Sequence, residues 1–149
     1  MAETKLKPQA LKFSGAKARK TSNQTGITTG VYIDISWDSV GFDTDSYWSG
    51  GNPTRLTAPV TGKYLIIGNT HLDALGAGTY RGASIQLNGA RTIDTGEIRT
   101  GAIGYSYQSV SVIMTLTAGD YVELAVFQDQ GSDGTVGTTN CNFSIMRVD

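Results

Sequence analysis

Apolar and polar residues alternate in short runs along this chain, and glycine or proline separates many of the runs. Residues 31–37 show the alternation clearly, with Val31, Ile33, Ile35 and Trp37 at every second position. Because successive side chains of a strand point to opposite faces, this period of two predicts a strand with these residues towards a core. No segment of ten or more residues shows the period of an amphipathic helix.

Two segments are apolar on both faces of the strands that they predict. In residues 63–74, Leu65 and Ile67 lie on the face opposite to Tyr64, and residues 121–127 repeat this arrangement. The outer face of a two-sheet sandwich normally meets water, so the outer apolar residues need another cover. A partner subunit is the simplest cover.

Two short segments predict tight turns between strands. Asn88-Gly89 is a strong signal for a type I′ hairpin, since both residues tolerate positive φ. Residues 117–120, with the sequence Thr-Ala-Gly-Asp, predict a turn that pairs the strand 110–116 with the strand 121–127.

The whole pattern predicts an all-β fold, an antiparallel jelly-roll sandwich of about eight to ten short strands. The expected strands are 11–20, 31–37, 55–58, 63–74, 83–87, 91–100, 110–116, 121–127 and 140–148. The expected loops are 38–53, 101–107 and 130–139.

Length and composition fit one domain of this kind. The chain has 149 residues, which is enough for one packed core, and its 19 glycines suit a fold with many tight turns. We expect a short arm at residues 1–10 and a single domain at residues 11–149.

Charge is unevenly distributed along the chain. Residues 1–20 contain six basic side chains and one acidic, whereas the rest of the chain contains six basic and twelve acidic. A basic segment on an acidic body predicts docking to an acidic partner, with Lys5, Lys7 and Lys12 as the anchoring residues. The alternative is that these lysines only keep the terminal segment and an edge strand soluble. The acidic body argues against nucleic-acid binding.

Cys141 is the only cysteine, so no intrachain disulfide can form. It shares strand parity with Phe143 and Ile145, and we expect it to be a small buried residue. The N-terminus has no apolar signal-peptide core, and no apolar run is long enough to span a membrane. We expect synthesis in a cytoplasm without membrane insertion.

Five segments, in this order along the chain, resemble the C1q/TNF-like jelly-roll family, especially its phage and bacterial members. They are Lys12-Phe13-Ser14-Gly15-Ala16, Phe42-Asp43-Thr44, Arg55-Leu56-Thr57-Ala58-Pro59 with Gly62-Lys63-Tyr64, Ala118-Gly119-Asp120-Tyr121-Val122-Glu123-Leu124, and Phe143-Ser144-Ile145. Leu56 and Ile66 stand where the family has aromatic residues, which are exchanges that a core can absorb. The chain shows neither the collagen-like stalk nor the secretory signal that are usual in animal members.

The resemblance implies a homotrimeric, non-enzymatic component of a phage virion, displayed on the virion surface and synthesised in the host cytoplasm. The residues expected at the trimer interface are Leu65, Ile67, His71, Tyr121 and Phe127. The function expected first is that of a head-decoration or fibre protein whose N-terminal arm grips other virion proteins. The alternative is a receptor-binding adhesin, at a tail tip or fibre head, that recognises a host cell-surface glycan.

His71 is the only histidine, and a Ser-His-Asp site could use it only with Ser84 or Ser106. No motif pairs these residues. We therefore expect His71 at a surface or subunit contact, and we expect no catalytic residue.

Aspartates occur in two oxygen-rich segments, Asp43 with Asp45 and Asp129 with Asp133. Such segments suit Ca²⁺, which some relatives of this fold bind. Alternate aspartates in a turn more commonly cap their own backbone, and no complete calcium-binding spacing occurs. We expect no cofactor and no metal site.

Aromatic residues occur in or beside several predicted loops, among short polar residues. This composition is typical of carbohydrate-binding surfaces, and Tyr47, Tyr105 and Tyr107 are the candidate glycan contacts. The alternative is that such rings close the ends of the sandwich or the trimer seam. We expect this second role for Phe42 and Trp48.

Overall fold

The computed structural model describes residues 12–76, 80–91, 97–100 and 104–149. These residues form twelve strands and no helix. The strands are β1 (Gly15–Arg19), β2 (Gln24–Ile27), β3 (Ile33–Asp34), β4 (Ser39–Asp43), β5 (Arg55–Thr57), β6 (Gly62–Leu75), β7 (Arg81–Leu87), β8 (Glu97–Thr100), β9 (Gly104–Leu116), β10 (Tyr121–Gln128), β11 (Gly134–Val136) and β12 (Asn142–Arg147). The predicted arm at residues 1–10 lies outside the described residues.

The strands pair antiparallel in two sheets. Sheet A is built on β6, which pairs with β9 along one edge and with β12 and then β11 along the other. Beyond β12 lie β1 and β4, and beyond β11 lies β2. Sheet B is built on β10, with β7 and β8 on one side and with β5 and β3 along the other. This arrangement confirms the all-β jelly-roll sandwich.

The core lies between the inner faces of the two sheets. On β6, Tyr64, Ile66 and Leu72 are fully buried, whereas Leu65 and Ile67 on the opposite face are half-buried. The face assignment from the alternating pattern is therefore confirmed. In the same core Trp37 stacks on Phe143, with ring centroids 5.9 Å apart.

The hairpin signal at Asn88-Gly89 is also confirmed. Asn88 has a φ of 51° and Gly89 a φ of 76°, and Leu87 bridges to Ala90 across the turn. The strand that follows is described only as β8, because residues 92–96 and 101–103 lie outside the described residues. The predicted loop 101–107 is wrong from Gly104 onwards, where β9 begins.

The prediction that residues 117–120 close a hairpin is wrong. The strand before this turn, β9, belongs to sheet A, and the strand after it, β10, belongs to sheet B. The turn instead bonds to residues 58–61, which join β5 of sheet B to β6 of sheet A. Gly119 N donates to Ala58 O at 2.9 Å, and Ala118 N donates to Thr61 Oγ1 at 3.0 Å. The tight turn exists, but it carries the chain from one sheet to the other.

Two predicted loops contain strands. Ser39–Asp43 forms β4 within 38–53, and Gly134–Val136 forms β11 within 130–139. Val136 of β11 reaches the core, whereas Val40 and Phe42 of β4 are exposed, and neither strand is long enough to show a clear alternating pattern.

Residues 31–37 form less strand than predicted. Only Ile33–Asp34 is β3, and Val31, which was expected in the core, is 46% exposed. Ile35 and Trp37 are buried as expected, but their backbone N–H groups bond to Leu124 O and Pro53 O outside a regular ladder.

Gly68 sets how closely the two sheets approach. A Cβ atom at this position of β6 would lie 2.5 Å from Leu124 Cδ1 of β10 in the opposite sheet. Real Cβ atoms do not come so close, so Leu124 fills the space that the missing side chain leaves. Overpacking at such a point forces side chains off their rotamers or moves the backbone.

We expect Gly68→Ala to lower the free energy of unfolding by about 1–3 kcal/mol, because the new methyl group overlaps a fully buried leucine. Urea denaturation of the purified protein measures this change. Gly50→Ala is the matched control, since nothing lies within 4 Å of a Cβ at Gly50 and its φ is not in the left-handed region. A loss of the same size in both variants would refute the role of Gly68.

Candidate functional site

The outer face of sheet A carries a cluster of apolar side chains, which we call the apolar end. Leu65 of β6 pairs with Met146 of β12 on one side and with Ile113 of β9 on the other. Ile67 lies two residues farther along β6. Ile113 is 65% exposed, and the other three are half-buried. A single chain therefore leaves an apolar row uncovered on this face.

The opposite end of the same face carries aromatic rings. His71 of β6 pairs with Tyr107 of β9, and their rings stack with centroids 4.5 Å apart and planes 11° apart. The ring of Tyr105 lies 5.7 Å from His71. Tyr105 and Tyr107 are 63% and 55% exposed. We call Tyr105, Tyr107 and His71 the aromatic end.

His71 lies beneath this surface rather than on it. Its residue exposure is 5%, and neither ring nitrogen has a hydrogen-bond partner among the described residues. Its Nε2 lies 3.4 Å from Asp73 Oδ1, which would form an ion pair only with a protonated ring. His71 is therefore not on the surface of a single chain, since Tyr107 covers the ring and presents its own face to solvent, and its expected place at a subunit contact stays a prediction.

The remaining predicted interface residues lie on the other side of the sandwich. Tyr121 and Phe127 belong to β10 of sheet B, and both are half-buried. The guanidinium of Arg55 lies 3.9 Å from the ring centroid of Tyr121, and Phe127 packs against Tyr32 with centroids 5.1 Å apart. These rings cannot share one continuous patch with Leu65, so their contact with a second subunit stays a prediction.

Tyr47 is not available to a sugar, which corrects the sequence-based assignment. It is 1% exposed, and its hydroxyl lies 2.7 Å from Ser14 Oγ. Its ring packs edge-on against Tyr64. A ring buried on both faces cannot stack on a ligand, so only Tyr105 and Tyr107 remain as candidate glycan contacts.

Phe42 and Trp48 were expected to close the ends of the sandwich or the trimer seam, and their surroundings differ. Trp48 is half-buried against the core, and its Nε1 donates to Pro53 O at 3.2 Å. Phe42 is 42% exposed and meets Phe13 edge-on, with centroids 5.6 Å apart. Trp48 thus packs against the core, whereas Phe42 lies on the surface of the sandwich.

The structure does not bring a nucleophile to His71. Ser106 pairs with Leu72 on the core side of sheet A, and Ser84 pairs with Ala125 in sheet B. His71 instead lies on the outer face of sheet A. The Ser-His-Asp arrangement has no geometric support among the described residues.

The aspartates of the first oxygen-rich segment serve the backbone and nearby hydroxyls. Asp43 accepts from the backbone N–H groups of Tyr47 and Trp48 at 2.9 and 3.0 Å. Asp45 accepts from the hydroxyls of Ser14 and Thr44, each at 2.7 Å. These bonds favour the capping interpretation over the calcium one. In the part of the chain that the structure describes, no three His, Cys, Asp or Glu side chains cluster as metal ligands.

Of the predicted anchoring lysines, only Lys12 is described, and Lys5 and Lys7 lie outside the described ranges. The side chain of Lys12 is 81% exposed, with its Nζ 3.6 Å from Asp45 Oδ1. Cys141 is 3% exposed, which confirms its prediction as a small buried residue. Burial raises the pKa of the Cys141 thiol to about 11, so it stays protonated at neutral pH.

Sequence reasoning missed two neighbouring carboxylates on the outer face of sheet B, one half-buried and one buried. Asp34 of β3 and Glu123 of β10 lie there with Arg55 of β5, whose Nε is 3.3 Å from Glu123 Oε1. Glu123 also accepts from Thr54 Oγ1 at 2.6 Å, whereas Asp34 Oδ1 is buried without a hydrogen-bond partner. Burial, and then the charge of Glu123, raise the pKa of Asp34 to about 6.

The sequence matches no protein-family model and no curated protein. Among solved structures it is similar to murine APRIL at pH 5.0, with a TM-score of 0.66 and 10% identity over 92% of this chain and 100% of that chain. It is also similar to the globular domain of zebrafish complement 1qA protein, with a TM-score of 0.58 and 10% identity over 89% of this chain and 93% of that one. The fold is a C1q/TNF-like jelly roll.

This C1q/TNF-like jelly roll extends over nearly the whole chain, which agrees with the range of the sequence resemblance. The described part of the chain contains no helix with the length and apolar character that a membrane crossing needs. At such low identity the likeness establishes the fold, and function has to be argued from the surface.

We expect Asp34 to make the stability of this jelly roll depend on pH. Its pKa rises from 3.8 to about 6 on folding, so the folded chain holds the proton more tightly than the unfolded chain does. The resulting stabilisation is complete below pH 3.8 and is lost as the pH rises through about 6. Because Asp34 is only half-buried, we expect a loss of about 1 kcal/mol rather than the roughly 3 kcal/mol of a fully desolvated group.

Asp34→Asn should therefore unfold at a higher temperature than the parent at pH 8 and at a similar temperature at pH 4. Thermal melts across this range, followed by circular dichroism, measure the difference. Asp133→Asn is the control, because Asp133 is an exposed loop residue. A parallel pH profile for the parent and Asp34→Asn would contradict the assignment.

Proposed function

We propose that this protein is a non-enzymatic homotrimer that serves as a structural part of a phage virion, of the head-decoration or fibre type. The apolar end of sheet A is the observation that carries the trimer. The C1q/TNF-like fold supports it, because the sequence resemblance to that family implies a trimeric binding module. The basic N-terminal segment supports attachment to a larger acidic particle.

The apolar end needs a cover that the single chain does not supply. Leu65, Met146 and Ile113 form one row across three strands, and Ile113 at the edge strand is 65% exposed. Contiguous apolar surface on a soluble protein commonly marks an interface. Burial of such a row against a second copy removes it from water at about 25 cal/mol for each Å².

A ring of three copies suits this surface because two different patches can meet at each contact. In a heterologous interface one face of a subunit packs against another face of the next, and a threefold rotation closes the ring. Leu65 and Ile67 on sheet A can then meet a different part of the neighbour. Tyr121 and Phe127 on sheet B are candidates for that second patch.

The basic segment is the proposed anchor to the particle. Six of the first 20 residues are basic, against a body in which acidic residues outnumber basic ones by two to one. Lys12, at the start of the described chain, extends its ammonium into solvent. Attraction between such a segment and an acidic particle surface weakens as salt rises.

The second candidate function is a receptor-binding adhesin that contacts a host cell-surface glycan. The observation in its favour is the exposure of Tyr105 and Tyr107, side by side with polar groups on sheet A. Aromatic rings with a free face and nearby hydrogen-bonding groups suit sugar rings. The two functions are compatible, since a trimer held on a particle can also bind a cell.

Ile113→Lys should convert the trimer to monomers, because a charge on the apolar row cannot be buried without a partner. Light scattering of the purified chain over a dilution series measures the native mass against the subunit mass of 15.8 kDa. Val60→Lys is the matched control, since Val60 is 43% exposed in the loop before β6 and belongs to neither of the two proposed patches. A monomeric parent, or a trimer that survives Ile113→Lys, would overturn the proposed seam.

Deletion of residues 1–10 should abolish binding to virus particles while the trimer remains intact. The deletion removes Lys5 and Lys7, and with them part of the positive charge that the acidic partner would recognise. Co-sedimentation with particles that lack the protein measures binding, and a parallel mass measurement verifies the trimer. Continued co-sedimentation of the truncated trimer would refute the anchoring role of the arm.

A further inference from the structure

A depression on the outer face of sheet A lies beside the aromatic end. It has a volume of about 200 Å³ and is lined by Asn69, Thr70, Tyr107, Gln108, Ser109 and Asn140. The strands β6 and β9 pair Asn69 directly with Ser109, and Tyr107 lies two residues farther along β9. The residues of the two strands that line the depression are therefore immediate neighbours in the sheet.

The sizes of the side chains along β9 create this depression. Tyr107 is large, whereas Ser109 and Ser111, the next two residues on the outer face, are small and exposed. The surface therefore steps down directly after the tyrosine ring. The Gln108 side chain does not fill the space, because it points into the sandwich, where its Nε2 donates to Arg81 O of sheet B at 2.7 Å.

The ring of Tyr107 is held in place before any ligand arrives. It stacks on the buried ring of His71 with planes 11° apart, and Tyr107 itself is 55% exposed. One face of the tyrosine thus packs on the histidine while the rest of the ring stays open. A side chain that is already ordered loses little conformational freedom on binding. Such a ring suits the apolar face of a sugar.

Three neutral polar groups beside the ring have unused hydrogen-bonding capacity. Asn69 Nδ2 donates to Asn142 Oδ1 at 3.1 Å, and Asn69 Oδ1 accepts no hydrogen bond from the described residues. The hydroxyl of Ser109 and the side-chain amide of Asn140 make no hydrogen bond within the described part of the chain. A hydroxyl and two amides can both donate and accept, which is what the hydroxyl groups of a sugar require.

The lining of the depression carries no charged side chain. A carboxylate, sulfate or phosphate would therefore meet no counter-charge there, and removing an unpaired charge from water is costly. The volume is also smaller than the roughly 300–1,000 Å³ of a typical pocket for a drug-sized molecule. Charge and size together favour a single neutral sugar unit over an acidic sugar or a large cofactor.

We propose that this depression binds one neutral pyranose unit of a cell-surface glycan, with the sugar ring against Tyr107 and its hydroxyl groups at Asn69, Ser109 and Asn140. This inference rests on the second candidate function and names its ligand class and its site. All the residues that it uses belong to one chain, so the site is complete in a single subunit.

Saturation-transfer NMR of the full chain, followed by titration, tests the ligand class. The neutral methyl glycosides of glucose and galactose are each compared with the matching methyl uronide, which differs only by a carboxylate at C6. The methyl glycosides of mannose and N-acetylglucosamine complete the neutral panel. We expect at least one neutral glycoside to bind, and both uronides to bind about fivefold or more weakly than that glycoside. A uronide that binds more tightly than every neutral glycoside would overturn the neutral assignment.

Variants locate the site. Ser109→Leu fills the depression and should abolish binding of the neutral glycoside. Asn140→Gly removes the amide at a position whose φ is 56°, which glycine adopts without strain, and it should weaken binding about fivefold. Tyr107→Phe keeps the ring and should retain the affinity. Ser49→Leu is the control, because Ser49 is an exposed serine in the loop between β4 and β5.

The proposal fails if none of the four neutral glycosides binds, or if Ser109→Leu or Asn140→Gly retains the affinity of the parent chain. A loss of binding in Tyr107→Phe would refute the stacking role of the ring. If Ser109→Leu alters the native mass or the melting temperature, Asn140→Gly decides the matter.

Cell binding distinguishes failure of this site from failure of the adhesin function. If the parent chain and Ser109→Leu bind host cells equally, the glycan contact lies elsewhere, and the adhesin function stands while this site falls. The native mass and the co-sedimentation with particles test the trimeric virion role independently of any sugar.

Discussion

The fold depends on strand β6, whose side chains alternate between the core and the outer face of sheet A. Its inner residues Tyr64, Ile66 and Leu72 complete the core against sheet B, and Gly68 lets Leu124 approach the backbone. Its outer residues begin with Leu65 and Ile67. Because a strand alternates its side chains strictly, a one-residue slip of β6 would exchange the two sets and destroy both surfaces at once.

The side chains on the outer face of sheet A change in type along β6. We infer different roles for the different parts of this face. The row at Leu65 is apolar, the row at Asn69 is polar, and the row at His71 is aromatic. These rows lie on the same pleated surface, so a ligand or a subunit that covers one comes close to the next. Residues on β9 and β12 continue the first two rows, and Tyr107 on β9 continues the third, which makes the division a property of the sheet.

The sequence predicts those features that depend on nearby residues. The faces of β6 and the Asn88-Gly89 turn follow from local alternation and local backbone preference. The turn at 117–120 has the same local sequence pattern whether it closes a hairpin or joins two sheets. Its hydrogen bonds to Ala58 and Thr61, which are distant in sequence, belong to the arrangement that joins two sheets. The burial of Tyr47 depends in the same way on Ser14 and Tyr64, which are distant in sequence. No local pattern predicts that Asp34 and Glu123 lie on the same face of sheet B, because this depends on the pairing of β3 and β5 with β10.

The proposed trimer and the glycan contact of the second candidate function strengthen each other, because a trimer presents three copies of the contact. A single sugar that contacts only the exposed rings of Tyr105 and Tyr107 can gain only a modest affinity, because much of the favourable energy offsets the loss of ligand freedom. Three identical sites on one rigid trimer raise the effective concentration of the second and third sugar on the same cell surface. Many trimers on one particle multiply this effect again. A weak site within each subunit is therefore compatible with firm attachment of the whole particle, and the apolar row at Ile113 that joins the subunits would be as important for adhesion as the residues that touch the sugar.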